Sequence, residues 1–407
     1  MAEAPSDRRI LLVDCDAFFV QVARLLDPEG AGRARLLIVG GSPSGRGVVT
    51  SASYEARAFG VRSAMPTGRA LELCPDALVV GVPRGAVSEK SQEVRTALEE
   101  LAPVVQAASV DEFYLDLTGT ERLFAGEALE ATARRIQREV LERTRISVSI
   151  GGGSRRIVAK LAASRAKPAG VHVVPPGGEQ DFLDALDLAD LPGVGPALAE
   201  ELRKRGLVGV RDARGVQREW LQRWLGKHRG AWLHRRIRGV DDSEVDPHER
   251  RRSISAERTF SQDLERDEDL ERRLLEIGAS VAGTLRSKRL RARTVSVKLR
   301  DHDFRTRGRS RTLPEAIESD AAVLDVARQL LGELRQDRRV PARLLGVALS
   351  SLVGREEAHQ LGLFAAPVAG ETERDRSVSR VVDELRSRFG RDAVQPGRLL
   401  EDQDSED

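Results

Sequence analysis

Three carboxylates carry the first chemical signal. Asp14 closes the apolar run of residues 9–13, and Asp111 and Glu112 sit side by side in the alternating stretch 107–117. Carboxylate oxygens are hard ligands that suit Mg²⁺, an ion that leaves part of its shell to water or substrate phosphates. Two such ions about 3.5–4 Å apart can stabilise the attacking and the leaving oxygen of a phosphoryl displacement together. Zinc has no such support, because the two cysteines, Cys15 and Cys74, and the six histidines show no ligand spacing. The carboxylate spacing alone fits solvated side chains at strand ends equally well. The basic residues add one clue: with 59 Arg and only 7 Lys, Lys160 and Lys167 mark places where a compact point charge is kept.

Several elements must bring these groups together. Residues 9–13 (RILLV) and 36–39 (LLIV) have the length and composition of buried strands, and 45–53 reads as extended. Residues 54–74 follow a helical pattern interrupted by Gly60 and Pro66. Neighbouring strand residues face opposite sides, so Asp111 and Glu112 can serve one site only at a bend or a sheet edge. A helix over 127–143, a strand over 147–151 and a helix over 155–167, closed by Pro168 and Gly170, suit an α+β sandwich. Residues 186–205 read as a short helix, a Pro-Gly-Val-Gly hairpin and another helix, and the polar stretch 241–252 reads as a linker. Strands over 294–299 and 344–350 with helices over 270–287 and 319–336 predict a second α+β unit. An amphipathic pattern resumes at 378–389.

The 407 residues suffice for a large core without disulfide support. A formal net charge of +2 carries no signal for a polyanion partner, but residues 285–311 hold 11 Arg or Lys against 2 Asp or Glu. Arg291, Arg293, Lys298 and Arg300 on a strand would lay cations along a nucleic-acid backbone, a salt-sensitive mode of binding. The sequence has no apolar run near the ~18 residues of a membrane span and no signal-peptide pattern at its start. The expectation is therefore a cytoplasmic protein with no membrane partner.

VDCDAFF (13–19), YEARAFGVRSAMP (54–66), SVDEFYLDLTG (109–119) and AKLAASRAKPAG (159–170) resemble, in this order, the signature segments of the Y-family DNA polymerases, in particular the DinB-type lesion-bypass enzymes. The resemblance spans nearly the whole chain, and four motifs in register are far more specific than any one of them. It implies an α+β right-hand polymerase with a ferredoxin-like palm (8–17 and 80–167), small fingers (18–79) and a helical thumb with a helix-hairpin-helix (168–240). After the linker at 241–252, a separate α+β little finger domain (253–353) and a tail with a clamp-binding motif (354–407) follow. The implied activity is template-directed translesion synthesis by a monomer. It transfers a nucleotidyl group from a dNTP to the 3′-OH of primer-template DNA, with two Mg²⁺ ions and no proofreading.

Residue by residue, the resemblance makes Asp14, Asp111 and Glu112 the catalytic metal ligands, with Cys15 lending its backbone carbonyl. Phe19 matches the steric gate against a ribose 2′-OH, and its neighbour Phe18 reads as core. Ser51, Tyr54, Arg57 and Lys160 match the contacts to the triphosphate, and Val39, Val48 and Thr50 match small residues near the nascent base pair. Gly193 and Gly195 belong to the thumb hairpin that approaches DNA. QLGLF at 360–364 resembles a sliding-clamp pentapeptide, with Gln360 at a backbone and Leu361, Leu363 and Phe364 in apolar pockets. Arg155-Arg156 stand where the family has Asn-Lys, so no role is carried over for them. A noncatalytic clamp-tethered DNA-binding relative would not need all three acids. A nucleotide cyclase would leave the hairpin, the basic strip and the pentapeptide without a purpose.

Overall fold

The strand predicted at residues 9–13 forms because every second residue has a different apolar partner. In the computed structural model, which describes residues 8–124, 126–354, 371–390, 393, 394 and 397, it runs Ile10–Cys15 (β1) and all six positions are buried. Leu11, Val13 and Cys15 pack with the helices Arg84–Leu101 and Leu129–Thr144, while Ile10 and Leu12 face Ala159 and Ala163 of the helix Arg156–Ala166. By this alternation Asp14 falls on the side of Arg156–Ala166.

The remaining strands of the first unit, Met1–Glu249, are Leu37–Gly40 (β2), Val49–Ala52 (β3), Leu78–Val80 (β4), Val104–Ala107 (β5), Glu112–Asp116 (β6), Val148–Gly153 (β7) and Val171–Val173 (β8). They build a five-stranded sheet in the order β5-β6-β1-β7-β8 and a three-stranded sheet in the order β3-β2-β4. Arg156–Ala166 lies close against β7 because a Cβ on Gly151 would stand 2.0 Å from Ala163 N and 2.1 Å from Ala159 O. A side chain there would push away the helix that carries Lys160.

One sequence expectation changes in this unit and another holds. The stretch 107–117 is a hairpin rather than one strand, with β5 ending at Ala107 and β6 starting at Glu112. Ser109 shapes its turn: the hydroxyl accepts from the Asp111 and Glu112 amides at 3.3 and 3.1 Å and donates to Asp111 Oδ1 at 2.5 Å. The helical stretch 54–74 breaks where expected, at Gly60 with its φ of +90° and before Pro66, into Tyr54–Ala58 and Thr67–Leu73. The helices of residues 179–236, among them Pro196–Arg203, Arg218–Leu225 and Lys227–Arg236, pack around Leu183, Leu198, Leu221 and Leu233.

The expected linker is a linker only at its far end. Val245 is buried among Ile10, Leu12 and Tyr114, Asp246 N donates to Gln106 Oε1 at 3.1 Å, and the boundary between units falls after Glu249. Arg155 and Arg156 serve this strap: Arg156 stacks 4.2 Å from the Tyr114 ring centroid and donates to Glu244 O at 2.6 Å, and Arg155 lies 3.9 Å from Asp242.

The second unit, Arg250–Asp407, holds Ser253–Leu264 (β9), Leu290–Asp301 (β10), Thr306–Ile317 (β11) and Ala342–Gly354 (β12) in the order β11-β10-β12-β9. The sequence reading found only β10 and β12. The helices Asp267–Ser287 and Asp320–Asp337 cover one face of the sheet, over Val295, Val297, Leu299, Leu345 and Val347. Part of the expected tail is docked on this unit. The helix Glu373–Phe389 is held by Arg286, whose Nε and terminal amino group donate to Asp383 at 2.6 and 2.8 Å, and by Ser379 Oγ, which accepts from Asp320 N at 3.1 Å.

Candidate active site

Asp14 and Glu112 are directly opposed across the antiparallel β1-β6 pair and so share a face, while Asp111 occupies the turn just before β6. The alternation that would separate Asp111 from Glu112 therefore does not apply. Cys15 N donates to Asp111 O at 2.9 Å and holds the turn beside the end of β1. Two lysines from one chain segment face the carboxylates: Lys160 Nζ lies 2.5 Å from Glu112 Oε2, and Lys167 Nζ lies 2.7 Å from Asp14 Oδ1. The sequence had marked both as retained lysines, but the Lys167 contact was not foreseen.

Asp14 is 7% exposed. Burial pushes its carboxyl up to about 6, Lys167 opposes this, and the neighbouring charges of Glu112 and Asp111 add to it. Three carboxylates stand against two lysines, and the carboxylate donors are all oxygen, so a divalent cation such as Mg²⁺ fits the residues present. Among the described residues, as folded here, no three carboxylate, histidine or cysteine side chains enclose a cation position. The Cys15 thiol is buried in the core with Leu11 and Val13, and burial pushes its pKa up, which leaves only its backbone for a ligand role.

The residues expected on the nucleotide side divide. Phe18 is buried and Phe19 half-buried, in an edge-to-face pair with ring centroids 6.0 Å apart. Ser51 is buried on β3 opposite Val39. Val39 itself is wholly buried with Val20 and Leu37, so it does not face a base pair, whereas Val48 is exposed and Thr50 half-buried. Tyr54 and Arg57 share a face as expected, with the guanidinium 5.1 Å from the ring centroid, but both have other partners: Tyr54 OH donates to Asp16 Oδ1 at 3.0 Å and Arg57 Nε to Ala52 O at 2.9 Å. Burial, then the charge of Asp16, raises the Tyr54 pKa, so the phenol stays protonated and keeps donating. No role was expected for Asp16.

Residues 13–164 match the impB/mucB/samB family, 251–363 match the C-terminal domain of that family, and 189–241 match a DNA polymerase-iota thumb domain. The chain is 37% identical over 398 residues to a DNA polymerase IV of Desulfatibacillum aliphaticivorans, covering 98% of each. It is 37% identical over 388 residues to a DNA polymerase IV of Caulobacter vibrioides, covering 95% of this chain and 93% of that one. The chain belongs to the Y-family DNA polymerases. Among solved structures, a Y-family chimera of Dbh and Dpo4 aligns at 27% identity with a TM-score of 0.74, covering 85% of this chain and 99% of that one. An insertion ternary complex of Dbh DNA polymerase aligns at 27% with a TM-score of 0.62 over the same shares.

In this polymerase the two hairpin glycines differ in kind. Gly193 has φ +99°, and a Cβ there would lie 2.5 Å from Trp232 Cζ2, so it is required by the fold. Gly195 meets nothing within 4 Å and caps the helix Pro196–Arg203, which leaves its backbone open to a phosphate.

The basic strip corrects the charge arithmetic of residues 285–311. Arg307, Arg309 and Arg311 lie on the helix side of β11 and pair with Asp301, Asp337 and Glu333 at 2.9, 2.7 and 2.7 Å, while Arg286 is paired with Asp320 and Asp383. Lys298 and Arg300 stand on the other face of β10, Lys298 beside Glu257 at 2.7 Å and Arg300 Nε beside Thr306 Oγ1 at 2.9 Å. A regular strand would put Arg291 and Arg293 opposite to Lys298 and Arg300. The irregularity between Ala292 and Thr294 shifts the register, so that buried Ala292 is followed by buried Val295 and all four cations lie away from the core. Arg293 donates to Leu313 O and Pro314 O, which leaves further N–H groups of its guanidinium for another acceptor. The open face around Lys298 carries Ser255, Ser296, Gly308, Ser310, Gly346 and Ala348, small residues that let a backbone come close. Gln360, Leu361, Leu363 and Phe364 lie outside the described residues. Among the described residues no helix is long and apolar enough to cross a membrane.

Proposed function

We propose that this translesion DNA polymerase joins a deoxynucleotide to a primer 3′-OH at the Asp14, Asp111 and Glu112 cluster, with loss of pyrophosphate. The observation that carries the reading is the cross-strand pair Asp14 and Glu112 with Asp111 in the adjoining turn, flanked by Lys160 and Lys167. Asp14, Asp111, Glu112 and the Cys15 carbonyl would hold two Mg²⁺ ions, which when bound lower the pKa of the 3′-OH and neutralise charge on the transferred phosphate. Lys160 is a flexible point charge for the β- and γ-phosphates, and Arg57 adds a planar donor beside them. Phe19 packs its ring where a ribose 2′-OH would collide. Ser51 and Tyr54 complete the triphosphate side.

The thumb at 168–240 and the little finger domain at 253–353 hold primer-template DNA through the Gly195 backbone and through Arg291, Arg293, Lys298 and Arg300, contacts to phosphate rather than to base edges. Residues 360–364 tether the polymerase to the sliding clamp. The enzyme works as a cytoplasmic monomer and does not proofread.

Primer extension with Mg²⁺ and dNTPs tests the site. Asp111→Ala and Glu112→Ala should each abolish extension while primer-template affinity stays within about threefold, since phosphate contacts lie elsewhere. Normal extension by either variant refutes the assignment.

A further inference from the structure

Two residues beyond Asp14, Asp16 is 4% exposed and has every acceptor position taken. Its Oδ1 accepts from Tyr54 OH at 3.0 Å and Ser149 Oγ at 2.7 Å, and its Oδ2 accepts from Ser147 Oγ at 3.0 Å and Ala169 N at 3.0 Å. A carboxylate has about four lone-pair sites, so none remains for a cation. Of the two aspartates in VDCDAFF, Asp14 has room for a ligand role and Asp16 has none.

The four donors come from different parts of the chain. Tyr54 opens a helix beside β3, Ser149 lies on β7 with Ser147 just before it, and Ala169 follows Lys167, the partner of Asp14. Tyr54 in turn lies under Arg57. The backbone at Asp16 is fixed as well: Gln21 Nε2 donates to Asp16 O and, at 2.9 Å, to Ser147 O, just before the helix that carries Phe19. One buried side chain therefore sets the position of a triphosphate arginine and of the Lys167 turn relative to the catalytic strand.

We propose that Asp16 is a positioning residue for the incoming nucleotide, acting through Tyr54 to hold Arg57 at a set distance from Asp14. This rests on the site assignment above. An Asn at this position keeps the shape but turns an amide NH₂ toward two of the donors.

Single-nucleotide insertion kinetics on a fixed primer-template test it. Asp16→Asn and Tyr54→Phe should each raise the dNTP KM by about tenfold, the size of one hydrogen bond to a charged group, with a smaller change in kcat. Affinity for primer-template should stay within about twofold, since its contacts lie elsewhere. Ser149→Ala, which removes one donor to Asp16 but leaves the Tyr54 bond in place, should leave KM within about twofold. The double variant Asp16→Asn/Tyr54→Phe should be no worse than Asp16→Asn, because both cut the same link. Inorganic triphosphate, as a competitive inhibitor, should weaken in parallel with KM. An unchanged KM in Tyr54→Phe, or effects of the two single variants that multiply, overturns the proposal. Should Asp16→Asn fail to fold, Asp16→Glu, which keeps the charge but moves both oxygens, takes its place: a raised KM that Tyr54→Phe does not raise further supports the link, and effects of the two that multiply overturn it. Full activity of Asp111→Ala would instead fault the site assignment.

Discussion

Replacing Asp14 with Asn should make the metal-free protein more stable while ending synthesis. Burial, aided by Glu112 and Asp111 against Lys167, holds the Asp14 carboxyl at about 6 rather than 3.8. A raised native pKa means that the folded state binds the proton more tightly than the unfolded chain. The resulting stabilisation is complete below about pH 4 and is lost as pH rises through 6. A difference of about two pKa units leaves ionised Asp14 costing roughly 3 kcal/mol at pH 8. Asn removes that cost and leaves Lys167 without its partner. The Lys167 side chain is 29% exposed, so water takes over part of its solvation. The value of about 6 already contains the attraction of Lys167, and a neutral carboxyl lacks that pair just as Asn does, so the net gain is about 3 kcal/mol. At about 2–4 °C per kcal/mol this raises the melting temperature by about 6–12 °C. Scanning calorimetry in chelator at pH 8 and pH 5 reads it. The gap should narrow by about 1.4 kcal/mol at pH 5, where the native carboxyl is mostly protonated while the unfolded one is still mostly ionised. Excess Mg²⁺ should narrow it at pH 8, since only the wild type gains fully from the ion. A variant less stable than wild type at pH 8, or a gap equal at both pH values, refutes the reasoning.

Phe19→Ala should raise the ratio of ribonucleotide to deoxynucleotide insertion efficiency at least tenfold, because only the ribose has an oxygen against the ring; an unchanged ratio in single-turnover insertion removes the gate. Arg300→Ala should flatten the slope of log affinity against log salt by up to about 0.9 in fluorescence anisotropy. Lys298→Ala should flatten it less, as Glu257 already offsets its charge, and slopes equal to wild type in both would take these cations off the DNA path. Leu363→Ala/Phe364→Ala should leave extension of a short primer near normal and abolish stimulation by a loaded clamp, since only apolar anchors for a protein partner are lost. Equal stimulation of variant and wild type makes QLGLF incidental.

Local chemistry was enough to read the strand that carries Asp14. Its unbroken apolar run has the length and composition of a buried strand, and β1 is buried at every position. The helix with Lys160, the hairpin glycines and the strands β10 and β12 were equally legible, because period and turn residues act within a few positions. What the sequence left open depends on partners far along the chain. Whether Asp111 and Glu112 diverge or converge turned on the Ser109 hydroxyl, which bonds its own turn in place of extending the strand. Asp16 has the same side chain as Asp14 two residues earlier, and only the arrival of Tyr54, Ser147, Ser149 and Ala169 fills its oxygens. The excess of cations in 285–311 looked like one surface, yet acids at Asp320, Glu333, Asp337 and Asp383 neutralise several of them. A residue's type and spacing set which interactions it can make. Which ones it makes is decided when chain closure brings segments a hundred residues apart into contact, and that closure is a property of the whole fold.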